Sequence, residues 1–161
     1  MTNSYFEKAF AELLDIERGY TVDKGGPTKY GVTEKVARAY GYTGDMQLFP
    51  LDFAKSIYHK EYWNNALNEF SFGVAYQVFD AAVNSGPERA AKWLQVVAGV
   101  RPDGVIGPIT IAAIQAMDPL KVIVTFNCIR LQFMTGLINW PREGKGWSRR
   151  IVRCLKLGVT M

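Results

Sequence analysis

The stretch Glu17-Arg-Gly-Tyr-Thr-Val-Asp-Lys-Gly-Gly-Pro-Thr-Lys-Tyr-Gly-Val-Thr33 decides how the chain is read, because it puts two carboxylates and a hydroxyl on a short glycine-rich segment between two helical patterns. Upstream, Phe6, Phe10, Leu13 and Leu14 recur at helical spacing and predict a helix over residues 3–17, with Glu7, Lys8, Glu12 and Asp15 on its other face. Glu17 stands four residues after Leu13 and three after Leu14, so it continues the inward stripe. Gly19 reads as the helix stop, which leaves Glu17 in the last turn, beside the partly negative carbonyl end. Apolar neighbours and that helix end both disfavour a carboxylate and suit a proton donor. Asp23 falls in Asp-Lys-Gly-Gly, a turn rich in backbone donors that favours an ionised side chain. Two acids in contrasting surroundings make a candidate acid and base.

Working outward, Tyr20 and Val22 alternate with polar neighbours, Thr28, Tyr30 and Val32 do the same, and Gly25-Gly26 lies between them. This predicts a small β-hairpin. Thr33 then caps a second helix with Glu34 in its first turn. Pro50 opens a third helix whose inner face is Phe53, Ala54, Ile57 and Tyr58, followed by Tyr62-Trp63. Tyr58 reads as core, whereas Trp63, with Tyr20 and Tyr30, is a candidate for stacking on a ligand at a cleft edge.

From Phe70 to Ser85 the apolar residues Val74, Val78, Ala81 and Ala82 form a packed face, and Tyr76, Gln77, Asp80 and Asn84 a polar stripe. A helix apolar on nearly every other side runs through the middle of a molecule, where a polar stripe would face a cleft. Gly86-Pro87 marks a break before a helix over 90–97, and Asp103-Gly-Val-Ile-Gly-Pro108-Ile-Thr110 predicts a turn that opens another. Leu120 to Asn139 reads as a long helix. Trp140-Pro141 breaks it, Gly144-Lys-Gly146-Trp147 forms a loop, and a last basic helix carries Arg149, Arg150, Arg153 and Lys156.

The 161 residues suffice for one full core or two small lobes, and the net charge of +4 favours an anionic partner such as nucleic acid, a membrane surface or bacterial wall. Nucleic-acid reading would set basic residues among exposed aromatics on one face, and here they are scattered except in the last helix. Cys128 and Cys154 are expected to be reduced, packing as small hydrophobes. One histidine, His59, and no cysteine pair at ligand spacing argue against zinc, so no metal or cofactor is expected. The start lacks a secretory pattern, and the apolar run Val122 to Ile138 is broken by Asn127, Arg130 and Gln132. Synthesis in the cytoplasm without membrane insertion is the expectation.

Taken together, Glu17-Arg-Gly-Tyr20, Asp23-Lys-Gly-Gly-Pro-Thr28 and Lys29-Tyr-Gly-Val-Thr33 resemble the signature of glycoside hydrolase family 108, muramidases found as phage endolysins and bacterial secretion-activating proteins. The order Glu, Asp, Thr also resembles the triad of phage lysozymes of the T4 type. The resemblance implies a mainly α, lysozyme-like bundle of about eight helices with a small β-hairpin at the active-site cleft. It would make Glu17 the general acid, Asp23 the carboxylate that handles water, and Thr28 a positioning hydroxyl. Phe79-Asp-Ala-Ala-Val-Asn-Ser-Gly86 resembles the family's central helix, which assigns Asp80 and Asn84 to substrate binding. The Asp103 to Thr110 pattern resembles small peptidoglycan-binding modules. Residues 1–86 would then be the catalytic region and 87–161 a peptidoglycan-binding-like helical region, packed as one compact unit with the first. Arg18 and the short Tyr20 to Asp23 segment depart from the family pattern and leave the second carboxylate open.

The expected activity is hydrolysis of the peptidoglycan glycan strand at N-acetylmuramic acid. A lytic transglycosylase using the same Glu17 and a non-catalytic wall-binding or nucleic-acid-binding module are the alternatives. A monomer is expected, reaching the periplasmic wall with a holin or an export system.

Overall fold

The structure is a computed structural model that describes residues 4–17 and 19–160. Two compact units follow one another, divided between Glu61 and Tyr62.

The first unit opens with α1 (Ser4–Leu14), whose Phe6, Ala9, Phe10 and Leu13 are buried. The helix stops three residues short of the expected end. Glu17 nevertheless keeps a helical bond, its N–H donating to the Leu13 carbonyl at 3.0 Å, so it rides on the unwinding last turn. Arg18 and the expected start at Asn3 lie outside the described residues.

Three antiparallel strands follow, β1 (Tyr20–Asp23), β2 (Gly26–Lys29) and β3 (Val32–Thr33), in the order β1-β2-β3. A two-stranded hairpin was expected, with Val32 still on its second strand. The chain instead turns at Tyr30-Gly31, where both residues have positive φ (52° and 75°), and Lys29 pairs with Val32 across them. Two left-handed residues between paired strands make a type I′ turn, which suits the strand twist. The first turn sits at Lys24-Gly25, with Gly26 left-handed at φ 98° just after it.

Thr33 caps α2 (Glu34–Ala39) by accepting from the Val36 N–H at 3.3 Å, as read from the sequence. After a 3-10 turn at Met46–Leu48, α3 (Leu51–Tyr62) packs Ala54, Ile57 and Tyr58 inward. The Phe10 and Tyr58 rings stand 5.6 Å apart, Tyr42 packs edge-on against Phe49 and Phe53, and Glu7 pairs with Lys55.

The second unit is built around α4 (Phe72–Ser85), in which every residue from Phe72 to Ala82 is buried. It is packed by α5 (Pro87–Ala98), α7 (Pro119–Thr135) and α8 (Trp140–Thr160), while α6 (Pro108–Gln115) packs on α5. The break and loop expected at residues 140–147 are absent, and α8 is continuous through Pro141, Gly144 and Gly146. Pro141 falls in the first turn, where a missing N–H costs nothing. At Gly144 the Trp140 indole lies so close that a Cβ would sit 2.6 Å from its Cε2. Packing there overrides the poor helix propensity of glycine. Farther along, Gly73 and Gly158 bring α4 and α8 into close contact; a Cβ on Gly73 would come within 2.8 Å of the Gly158 carbonyl oxygen.

Truncation after Gly86 removes α5, α7 and α8, the α-helices that pack most closely against α4. Residues 62–86 should therefore lose their ordered packing, read by circular dichroism as a loss of helix and of the second unit's melting transition. Cys154 is buried as expected, but Cys128 is exposed, because α7 turns that side outward. Among the described residues no single helix is long and apolar enough to cross a membrane.

Candidate active site

Glu17, Tyr20, Asp23, Thr28 and Tyr30 all belong to the first unit, whereas Trp63, Asp80 and Asn84 belong to the second. Glu17 is half-buried, and its Oε2 lies against the type I′ turn. A Cβ built on Gly31 would overlap the Tyr58 hydroxyl and lie 3.0 Å from Glu17 Oε2. The Tyr58 hydroxyl in turn donates to the Tyr30 carbonyl at 2.8 Å. A buried tyrosine thus fixes a left-handed, non-glycine residue whose turn touches the candidate acid. Such strain persists only where the surroundings enforce it, and it gathers at functional sites.

Register places the other candidates. Thr28 lies opposite both Thr21 and Thr33, and Asp23 is two residues from Thr21 on β1, so Asp23 and Thr28 share one face of the sheet. Asp23 is exposed at the strand end and accepts from the Gly25 N–H through Oδ1 at 2.7 Å. That is the donor-rich turn expected from the sequence. Tyr20 is exposed, and Tyr30 is half-buried with Lys29 Nζ 5.2 Å from its ring centroid.

Unit two treats its candidates differently. Trp63 is buried, with its ring 5.5 Å from that of Phe79, and is therefore core in this conformation. Asp80 has no accessible surface. Its Oδ2 pairs with Arg130 at 2.8 Å, and both of its oxygens accept from Arg150 Nε at 3.1 and 3.2 Å. Burial would push the Asp80 carboxyl up, but the two guanidinium groups outweigh it and hold the group below the usual carboxylate range. Asn84 is half-buried and accepts from Arg130 at 3.2 Å. The polar stripe of α4 is thus consumed inside the bundle, where Gln77 also reaches the Cys154 carbonyl at 2.8 Å. A carboxylate this enclosed has no surface to offer a sugar, so direct substrate contact gives way to a structural role for Asp80.

Sequence reading missed Gly31 and Tyr58 as the support of Glu17. The alternation of Tyr30 with Val32 hid the turn, although Tyr-Gly between paired strands was its signal. The arrangement has a direct test. Gly31→Ala should cost about 1–3 kcal/mol, from left-handed strain and the clash with Tyr58, and should cut activity. Tyr58→Phe alone should cost about 1 kcal/mol, and adding it to Gly31→Ala should recover part of the loss by removing the clashing hydroxyl. Urea melts of the two single variants and the double variant measure that coupling.

A family model described as "Glycosyl hydrolase 108" matches residues 10–86, and one described as "Predicted Peptidoglycan domain" matches residues 89–152. The solved structure titled "Structure of Brucella abortus SagA" is 32% identical, with 99% of this chain and 96% of that one covered at a TM-score of 0.86. The chain belongs to glycosyl hydrolase family 108. Comparison with curated proteins returned no match. This family 108 protein is accordingly a glycoside hydrolase of the N-acetylmuramidase class, a peptidoglycan hydrolase whose latter part matches a peptidoglycan domain. The mainly α, lysozyme-like fold is the one expected from the sequence.

Proposed function

We propose that Glu17 is the general acid of a muramidase that hydrolyses the glycan strand at N-acetylmuramic acid. The observation that carries this reading is the placement of the Glu17 carboxylate against a strained turn locked by Tyr58. Glu17 gives its proton to the glycosidic oxygen. Asp23 activates a water and Thr28, on the same sheet face, helps hold it; an inverting reaction needs the two carboxyls roughly 6.5–9.5 Å apart. Tyr20 and Tyr30 contribute ring surfaces to the sugars.

In this reading residues 1–86 carry catalysis and 87–161 hold the wall, a division that parallels the ranges of the two family models. The enzyme is made in the cytoplasm, works as a monomer and meets the periplasmic wall after a holin or an export route gives access. Clearing of Gram-negative cells stripped of their outer membrane, followed by product analysis, tests the reading. New reducing ends are expected. Anhydro-sugar ends would replace hydrolysis by transglycosylation, in which an intramolecular hydroxyl attacks and Asp23 is dispensable.

A further inference from the structure

We propose that the groove between the α5–α6 loop and the start of α6 binds the peptide stem of peptidoglycan, with Arg101 taking a stem carboxylate and Val105 and Ile109 taking alanine methyl groups. The inference rests on the peptidoglycan reading above and assigns the wall-holding part a definite place and ligand.

The groove encloses about 350 Å³, in the range of small-ligand sites, and is lined by Val100, Arg101, Asp103, Val105, Ile109 and Thr110 among others. Val105 is 69% and Ile109 77% exposed, so two branched aliphatic side chains stand in water beside an exposed cation. That combination suits an acidic, alanine-rich peptide. It suits a sugar chain poorly, because the groove is lined by no aromatic ring on which a pyranose could stack.

The loop is also held in shape before any ligand arrives. Gln95, 1% exposed, donates through its two Nε2 hydrogens to Asp103 Oδ1 at 2.8 Å and the Val105 carbonyl at 2.9 Å, with Thr110 Oγ1 3.2 Å from the same nitrogen, and its Oε1 accepts from the Gly104 N–H at 2.8 Å. A site fixed in advance loses less entropy on binding. The Val105 N–H and the Gln95 amide keep Asp103 ionised, so Arg101 and Asp103 give the rim one charge of each sign. A stem residue bearing both an amine and a carboxylate matches that rim. Long-range charge acts in the same direction. Residues 62–161 carry eleven lysines and arginines against six acids, whereas residues 1–61 carry eight against nine.

The test is calorimetric titration of the full chain with the synthetic tetrapeptide L-Ala-γ-D-Glu-meso-diaminopimelate-D-Ala, which contains no bond for the enzyme to cut. Binding is expected to weaken about tenfold in Arg101→Gln, the scale of one charge-assisted hydrogen bond, and several-fold in Ile109→Ser. Both positions are exposed, so circular dichroism should be unchanged, and cleavage of peptide-free glycan should stay at the parent rate. No binding of the tetrapeptide by the parent protein, or equal binding by both variants, overturns the proposal. Competition by peptide-free glycan at this groove overturns it too, in favour of a sugar occupant. Failure to cleave any glycan would count against the muramidase reading and leave the tetrapeptide result to decide the groove.

Discussion

Glu17→Gln should fold and bind wall like the parent and lose activity by about 10²–10⁴-fold, the usual contribution of a positioned general acid. The amide keeps the size of the side chain and its place against Gly31, whose Cα approach leaves 3.0 Å between a notional Cβ and Glu17 Oε2. Only the transferable proton is gone. Reducing-end release from purified peptidoglycan measures the loss, and a melting curve shows that the fold is retained. Full lytic activity in a folded Glu17→Gln protein would remove Glu17 from the mechanism. Asp23→Asn, assayed in parallel, separates hydrolysis from transglycosylation: a severe loss supports a carboxylate acting on water, and a mild one shifts that role elsewhere.

Asp80→Asn should cost about 3–5 kcal/mol of stability, because it takes the charged partner from the fully buried Arg130 and weakens the acceptor of Arg150. Arg130 has no exposed surface, and its Nε has no partner among the described residues even in the intact cluster. A fall in Tm on the order of 10 °C is expected. The pH dependence follows from the direction of the shift. The folded carboxyl is held below the usual carboxylate value, so its stabilisation is complete above the unfolded value of about 3.9 and disappears as pH falls through the lower folded one. The parent should therefore lose stability with acid across that window. Asp80→Asn should start lower and show a flatter slope there, and an unchanged slope would place the acid sensitivity in other groups.

How much of this was legible in the residues alone depends on distance along the chain. The capping of α2 by Thr33 and the burial of α4 follow from neighbours within one or two turns, and the periodic pattern contains them. The turn at Tyr30-Gly31 was locally encoded but masked by alternation that suits a strand equally well. Helix α8 across Gly144 and Gly146 was not legible, since its stability there comes from Trp140 folding over Gly144 and from the bundle it joins. Least legible was the fate of Asp80, whose partners lie 50 and 70 residues downstream. A carboxylate on an apolar helix gives the same sequence signal whether it faces a cleft or a buried arginine. The likeness of the segments Glu17 to Tyr20, Asp23 to Thr28 and Lys29 to Thr33 to a known signature named the family, but only the geometry identified what holds Glu17.

Helices α4 and α8 meet at three levels, Gly73 with Gly158, Gln77 with Cys154 and Asp80 with Arg150. The consequence is one of timing on the ribosome. At about 5–20 residues per second, synthesis of α4 ends roughly 4–15 s before that of α8, the helix that must cover it. For that interval the nascent chain carries a helix that is greasy on nearly all sides, together with an uncompensated acid. The second unit therefore completes its core only after translation has passed α8, and the family 108 region becomes vulnerable to chaperone capture or clumping whenever synthesis stalls between Gly86 and Trp140.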